Sequence, residues 1–542
     1  MIRILKSHSP ALFFTVFFVI VSVGDDALPR VHTSSKDKHA QVPPSAPYLD
    51  KALADVQRVW TDARAAEGPV SLKHLYDVSW EIAQAALDVE ARPQASEALG
   101  LAAKIADEAA RGSPFHPQWR AMFQLHADLN VAEGYAELSD DDKAGEAFER
   151  ALDRAPQRDK EHREAVQLRS LTTQWRLGRT KDARETLRSL AETQHADSAR
   201  SDLSLIKASA GKIDDALRMA ENIEDEGRRL PALYRVMYLA IHHGDIDNLF
   251  TVLRSFPEPI QWELYIEAGE LLARSNEEQL ARKMFAEAIG MAEEREGPPG
   301  SSRIFTRIAV KMSEVGFLDD VSDLLKHLPT PLERFRVYVA LAKGRAETGG
   351  EDEANEALNE AMEVFADVEH DEGREAVELW LSLARAQGML SRQDELRASL
   401  ESAHDAATDI PNADSRARRC REIAVTYAQY ESVEGALEIA TSHEVETAGH
   451  TSIAKREIAV AVAERGNEPI EKAVGIAQKI RSVRHQGPAY REIAAIQAGR
   501  SDVDKAKEWI ERLDVQLHSA HAWLGVSEGI GNGSDRVIIH GW

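Results

Sequence analysis

The tetrapeptide Arg-Glu-Ile-Ala occurs three times, at Arg421–Ala424, Arg456–Ala459 and Arg491–Ala494, each copy 35 residues after the last. A period of that size means stacked helical units, because one such unit cannot bury its apolar face alone and must lean on its neighbours. The glycines keep a similar beat: Gly178, Gly211 and Gly244 are 33 residues apart, as are Gly316 and Gly349, and Gly466 and Gly499. Each is read as a helix–helix turn, since glycine accepts the positive φ that a helix C-terminus often requires. On either side of the turns, apolar residues recur at three- and four-residue steps, as in Ile423, Ala424, Tyr427 and Ala428, then Ala436, Leu437, Ile439 and Ala440. That is helical periodicity, and no sustained period-two strand pattern interrupts it.

The unit from Leu125 to Arg158 carries Ala132 and Tyr135, then Ala144, Phe148 and Ala151, and ends at Pro156. Gly269, Leu272, Ala281, Phe285 and Ala288 repeat that arrangement. These residues resemble the tetratricopeptide repeat, a helix pair of about 34 residues. The resemblance covers roughly residues 125–515 in about ten units and is stronger in period than in individual motifs. It implies an all-α fold, a right-handed α-solenoid of stacked antiparallel helix pairs. The turn frame widens between Asn276 and Gly316, between Gly349 and Gly388, and between Gly388 and Glu431, which places insertions at 296–300, 367–373 and 408–413. Pro298-Pro299 reads as a surface loop, with a bend in the solenoid as the alternative.

Residues 48–124 are helical in pattern but lack a turn signature, and are expected to be an N-terminal cap or diverged repeats; residues 516–542 are expected to be a capping helix and flexible tail. Gly529-Ile-Gly-Asn-Gly533 belongs to that tail rather than to a nucleotide loop, because no helix follows it. At the other end, Arg3 and Lys6 precede an apolar stretch from Ala11 to Val23, closed by Ser22 and Gly24. Such a stretch reaches only about 20 Å as a helix, short of the roughly 30 Å of a hydrocarbon core. Residues 1–24 are therefore read as a cleaved signal peptide and 25–47 as a flexible proline-containing linker. The expected location is periplasmic or extracellular, without stable membrane insertion after cleavage; an uncleaved N-terminal anchor is the alternative.

The net charge of -25, from 91 acidic and 66 basic residues, repels a phosphate backbone and argues against nucleic-acid binding. With Cys420 as its one cysteine the chain can form no internal disulfide, and Cys420 reads as a small buried residue. There is no His-Glu-x-x-His, no phosphate loop and no Gly-x-Ser-x-Gly. His242-His243 diverge on a helix and read as a helix-end pair, and Asp214-Asp215 and Asp319-Asp320 read as caps of second helices. No catalytic residue, metal site or cofactor is expected.

Arg421, Arg456 and Arg491 are the candidate binding residues. In the tetratricopeptide frame they occupy a first-helix position that commonly faces the concave groove, where they could pair with carboxylates of an extended acidic peptide or glycan. The competing reading is that each bridges to a glutamate on the adjacent helix. The family's chaperone-tail clamps also use an asparagine four residues on, whereas this chain has Val425, Val460 and Ala495. The expected function is a non-catalytic scaffold for protein interaction, with a protein or peptide partner. The alternatives are a helical-toroid or superhelical enzyme acting on carbohydrate, whose scattered carboxylates would converge in space, and a solute-binding superhelix.

Overall fold

A computed structural model describes residues 43–66, 72–112, 117–154, 164, 167–168, 170–171, 173–175, 178–294, 300–368, 373–442, 450–466 and 468–531. Residues 1–42, which hold the expected signal peptide and most of the expected linker, Pro298-Pro299 and the stretch after residue 531 lie outside these. Every described element is helical. Described parts of Met1–Pro257 with Ser527–Trp542 make one compact unit, and those of Glu258–Val526 a second.

In the first unit the helices are α1 (Ala46–Ala66), α2 (Leu72–Asp88), α3 (Arg92–Gly112), α4 (Pro117–Glu137), α5 (Asp141–Arg154), α6 (Thr180–Leu190), α7 (Ala196–Ser209), α8 (Ile213–Glu221), α9 (Glu226–His242) and α10 (Ile246–Arg254). The second runs from α11 (Glu258–Arg274) through α12 (Glu278–Glu293), α13 (Gly300–Glu314), α14 (Leu318–Leu324), α15 (Pro331–Glu347), α16 (Glu351–Phe365), α17 (Arg374–Met389) and α18 (Gln393–Thr408). It continues with α19 (Ala413–Tyr430), α20 (Val433–Ala440), α21 (Thr451–Arg465), α22 (Ile470–Gln478), α23 (Val483–Gly499) and α24 (Val503–Ile510), and α25 (Gln516–Gly531) ends the described chain. The pairing is regular: α2 packs on α3, α4 on α5, α11 on α12, α15 on α16 and α17 on α18 as antiparallel pairs. Each pair then leans on the next first helix, as α12 does on α13 and α18 on α19. This is the stacked-pair solenoid that the tetratricopeptide resemblance implies.

Small residues let the paired helices approach. Beside Gly269 the Phe285 ring sits so near that a Cβ would lie 3.1 Å from it. Phe285 is 1% exposed, and burying a side chain of that size contributes about 1.5–3 kcal/mol. The turns obey one hydrogen-bond rule. Gly178, Gly211, Gly244, Gly316, Gly349 and Gly466 adopt positive φ between 67° and 88°. Behind Gly211, the Lys212 N–H donates to the Lys207 carbonyl at 2.9 Å, which satisfies a carbonyl that the ending helix leaves open.

Two expected turn residues are misplaced. Gly388 lies inside α17, and the left-handed residue is Ser391, at φ 58°. Gly499 closes α23, and the left-handed residue is Ser501, at φ 63°. The same closure follows in both, with Arg392 N–H donating to the Gln387 carbonyl at 2.9 Å and Asp502 N–H to the Gln497 carbonyl at 3.2 Å. Gly388 serves packing instead, because a Cβ there would overlap the Tyr430 ring. Non-glycine turns also explain why residues 48–124 look unsigned: Glu90, at φ 57°, makes the turn between α2 and α3.

Smaller corrections concern the ends and caps. Pro47 belongs to the first turn of α1 rather than to the linker, where its fixed φ and missing N–H cost nothing. Gly529 and Gly531 belong to α25. Asp214-Asp215 and Asp319-Asp320 occupy first turns rather than cap positions, where carboxylates face the positive end of the helix dipole. Asp215 also accepts from Lys207 at 2.8 Å and Arg218 at 2.5 Å, which pulls its carboxyl down to about 2.

Candidate functional site

In the second unit the first helices pack on one another in succession, α11 on α13, α13 on α15, α15 on α17, α17 on α19, α19 on α21 and α21 on α23. Several of their polar side chains keep partial exposure while protein atoms crowd around them: Lys311, Lys343, Arg385, Tyr430 and Glu457. These five come from consecutive first helices, α13 to α21, so the half-buried polar side chains follow the stack of first helices.

Opposite charges meet at most joints of this stack. Lys311 Nζ on α13 lies 3.0 Å from Glu270 Oε2 on α11 and 2.8 Å from Glu314 Oε2 on its own helix. Arg419 on α19 pairs with Glu378 on α17, and its Nη1 donates to Glu422 Oε2 at 2.6 Å. The Arg-Glu-Ile-Ala motifs then interlock. Arg421 Nε lies 3.0 Å from Glu457 Oε2, close enough for an ion pair but not aligned as a hydrogen bond. One repeat later Arg456 grips Glu492 through two N–H groups, the Nε bond measuring 3.3 Å. The arginine of one motif therefore holds the glutamate of the next.

Arg421 is 19% and Arg456 33% exposed in its side chain, and Arg491 is also partly exposed. Of the three candidate arginines, two thus make inter-helix ion pairs, as the competing reading expects. Arg421 Nη1 also lies 3.3 Å from His450 Nδ1, whose Nε2 is 2.9 Å from Asp414 Oδ1. Because the guanidinium can only donate, Nδ1 accepts and the imidazole proton sits on Nε2, facing Asp414. Burial pushes the Glu457 carboxyl up, and Arg421 and Arg456 pull it back down. Flanked by two cations, it is placed as an ion-pair partner more than as a proton donor.

The joint between α15 and α17 differs. Its outer end carries an exposed pair, Arg336 Nη2 to Glu375 Oε1 at 3.3 Å. Further along, neither Lys343 nor Arg385 makes a hydrogen bond or ion pair with a described residue, and the Arg385 charge works against the Lys343 ammonium. Burial, then the Arg385 charge, hold the Lys343 ammonium down at about 8, against the partial help of Glu314 and Glu347. Burial likewise lowers the Arg385 guanidinium, opposed by Glu422 and Tyr430. Glu314 and Glu422 are already engaged by Lys311 and Arg419. Tyr430, its ring over Gly388 and its hydroxyl pushed up by burial, adjoins Arg385.

Sequence reasoning missed Lys343 and Arg385. They are repeat equivalents, each six residues before its left-handed turn residue, Gly349 and Ser391. Taking Gly388 as the turn hides that equivalence.

A separate pocket of about 360 Å³ opens between α18, α19 and α20, lined by Glu401, His404, Asp405, Tyr427, Glu438 and Ser442 among others. His404 Nδ1 and Ser442 Oγ have no hydrogen-bond partner there. Among the described residues no three His, Cys, Asp or Glu side chains are arranged to hold a metal ion. Cys420 is buried on α19, and His242-His243 end α9 with their rings edge to face at 5.7 Å. Among the described residues no helix is long and apolar enough to cross a membrane.

No family model and no curated protein matches the chain. Similar solved structures include Ton1535 from Thermococcus onnurineus NA1, 17% identical over 60% of this chain and 98% of that one, with a TM-score of 0.26. Yeast Tom70 is 13% identical over 75% of this chain and 95% of its own, at a TM-score of 0.20. A circular tandem repeat protein with novel repeat topology is 13% identical over 89% and 96%, at 0.13. Scores this low carry no argument about function, and the fold assignment rests on the helix pairs and turns themselves.

Proposed function

We propose that this chain is an exported, non-catalytic helical-repeat scaffold that holds a protein partner against the first-helix face of residues 258–526. The observation that carries this reading is the run of crowded but solvent-touching polar side chains from Lys311 to Glu457 across five consecutive first helices. A repeat array has no central core to enclose a substrate, and its natural use is an extended contact surface. Export rests on the charged, apolar and small-residue order of residues 1–24.

A photo-crosslinking residue in place of Glu347, exposed on α15, tests the face; one in place of Glu356, exposed on the second helix α16, is the control. In the native compartment the first should capture a defined protein and the second should not. Equal labelling from both, or none from Glu347, would sink the scaffold reading. The mature N-terminus should fall within a few residues of Asp25, outside the cytoplasm; an intact Met1 on cytoplasmic protein would refute export.

A further inference from the structure

We propose that the pocket between α18, α19 and α20 is a binding site for an aliphatic ammonium, supplied by a free diamine or by a lysine side chain. Second helices build most of it, so it is a different surface from the first-helix face and does not depend on the scaffold reading.

Three observations lead to it. The cavity, about 360 Å³, takes carboxylates from two helices, Glu401 and Asp405 on α18 and Glu438 on α20, and no lysine or arginine is among the described residues that line it. All three acids are exposed, and their carboxylates make no hydrogen bond or ion pair with a described residue. Second, two polar atoms of the lining, His404 Nδ1 and Ser442 Oγ, are closed off from solvent and have no hydrogen-bond partner. Third, the Tyr427 ring and Ile439 give the same cavity an apolar wall. A Cβ at position 435 would lie 3.3 Å from that ring, so Gly435 leaves Tyr427 its place in the wall.

Ionised carboxylates only accept hydrogen bonds, and an alkylammonium has three N–H groups to donate and nothing to accept with. Each bond between them is charge-assisted. The His404 ring, as its Nε2–H tautomer, presents Nδ1 as a further acceptor, and the Ser442 hydroxyl oxygen accepts as well. An aromatic face attracts a cation, while the carbon chain of the ligand covers Ile439 and the ring. Burial, then the Glu401 and Glu431 charges, push the Tyr427 hydroxyl up, so the ring is neutral at pH 7. Arg397, whose charge acts on Tyr427, is itself held by Glu431 at 2.8 Å. An anion would meet three carboxylates at once and is excluded. Among the described residues no three His, Cys, Asp or Glu side chains are arranged to hold a metal ion, so the acids suit an organic cation that also fills apolar space.

The test titrates the full mature chain at low salt with 1,4-diaminobutane, with Nα-acetyl-lysine methylamide and with the uncharged 1,4-butanediol. At least one amine should bind about tenfold tighter than the diol, as charge-assisted contacts require. Tighter binding of the diamine assigns the site to a free amine, and tighter binding of the lysine derivative to a protein side chain. Glu401→Gln with Glu438→Gln should weaken amine binding about tenfold, and circular dichroism establishes that the variant is folded. If the double change unfolds, Glu401→Gln alone should still weaken binding, by about threefold. Tyr427→Phe, which keeps the ring, should leave binding nearly unchanged. Glu356→Gln with Glu360→Gln, which removes the same charge from exposed positions on α16, should leave it intact. No saturable binding of either amine, binding no tighter than that of the diol, or amine binding that survives loss of the Glu401 and Glu438 charges, would overturn the inference. The scaffold reading would be untouched, because capture of a partner from position 347 tests a different surface.

Discussion

Two stretches of the stacked first helices treat charge in opposite ways. From α19 to α23, Arg421 and Arg456 each meet the glutamate of the next motif, and those charges are consumed within the fold. On α15 and α17, Lys343 and Arg385 make no ion pair or hydrogen bond with a described residue, although Glu314, Glu347 and Glu422 act on them from a distance. The repeated motif, conspicuous in the sequence, acts between helices; the inconspicuous Lys343 and Arg385 make no such contact among the described residues. Periodicity marks what neighbouring repeats need from one another, and residues outside the motif need not share in that pairing.

The largest effect that would test this contrast comes from replacing Arg421, Arg456 and Arg491 together by alanine. The two partly buried ion pairs, Arg421–Glu457 and Arg456–Glu492, each contribute on the order of 1 kcal/mol, so the triple variant should lose about 2 kcal/mol in denaturant unfolding. An unchanged unfolding midpoint would show that the motif arginines are not struts.

Next is Lys343→Met, which should stabilise the free protein by about 1–2 kcal/mol at pH 7, chiefly by removing a buried ammonium and secondarily its repulsion from Arg385. The pH dependence has a definite sign. Lys343 falls from 10.5 to about 8 on folding, so between these values the unfolded chain binds the extra proton and stability rises with pH. The wild type should therefore catch up with the variant between about pH 8 and pH 10.5. A gap that stays constant through this window would show that Lys343 is not the group responsible.

The smallest effect is the sharpest in sign. Double-mutant cycles in unfolding free energy should give a favourable coupling of about 0.5–1 kcal/mol for Arg456 with Glu492, and an unfavourable one of similar size for Lys343 with Arg385. Couplings of the same sign would erase the distinction between the two regions.

Much of the fold is legible in the chain because the signals are local. Gly211, Gly244 and Gly349 adopt the left-handed conformation that their placement predicts. Ser391 and Ser501 adopt it as well without announcing it, since a helix terminated by packing and by its closing hydrogen bonds tolerates a Cβ there at modest cost. Gly388 shows the reverse: it is glycine because Tyr430 of the next first helix rests against it, a reason invisible from its neighbours in sequence. That single substitution of roles displaced the frame and concealed the match between Lys343 and Arg385.

By itself the sequence determined the helices, their pairing and the repeat, because periodicity, turn residues and small packing residues act over one or two turns of chain. Only the tertiary structure decided which cations are neutralised. Arg421 and Glu457 are 36 residues apart, as are Arg456 and Glu492, while Lys343 and Arg385 are 42 apart. The two Arg–Glu pairs are brought together by the stacking of first helices. Charge interaction falls off over a few ångströms and depends on local solvation, so an arginine becomes a strut on α19 while another on α17 has no ion pair among the described residues.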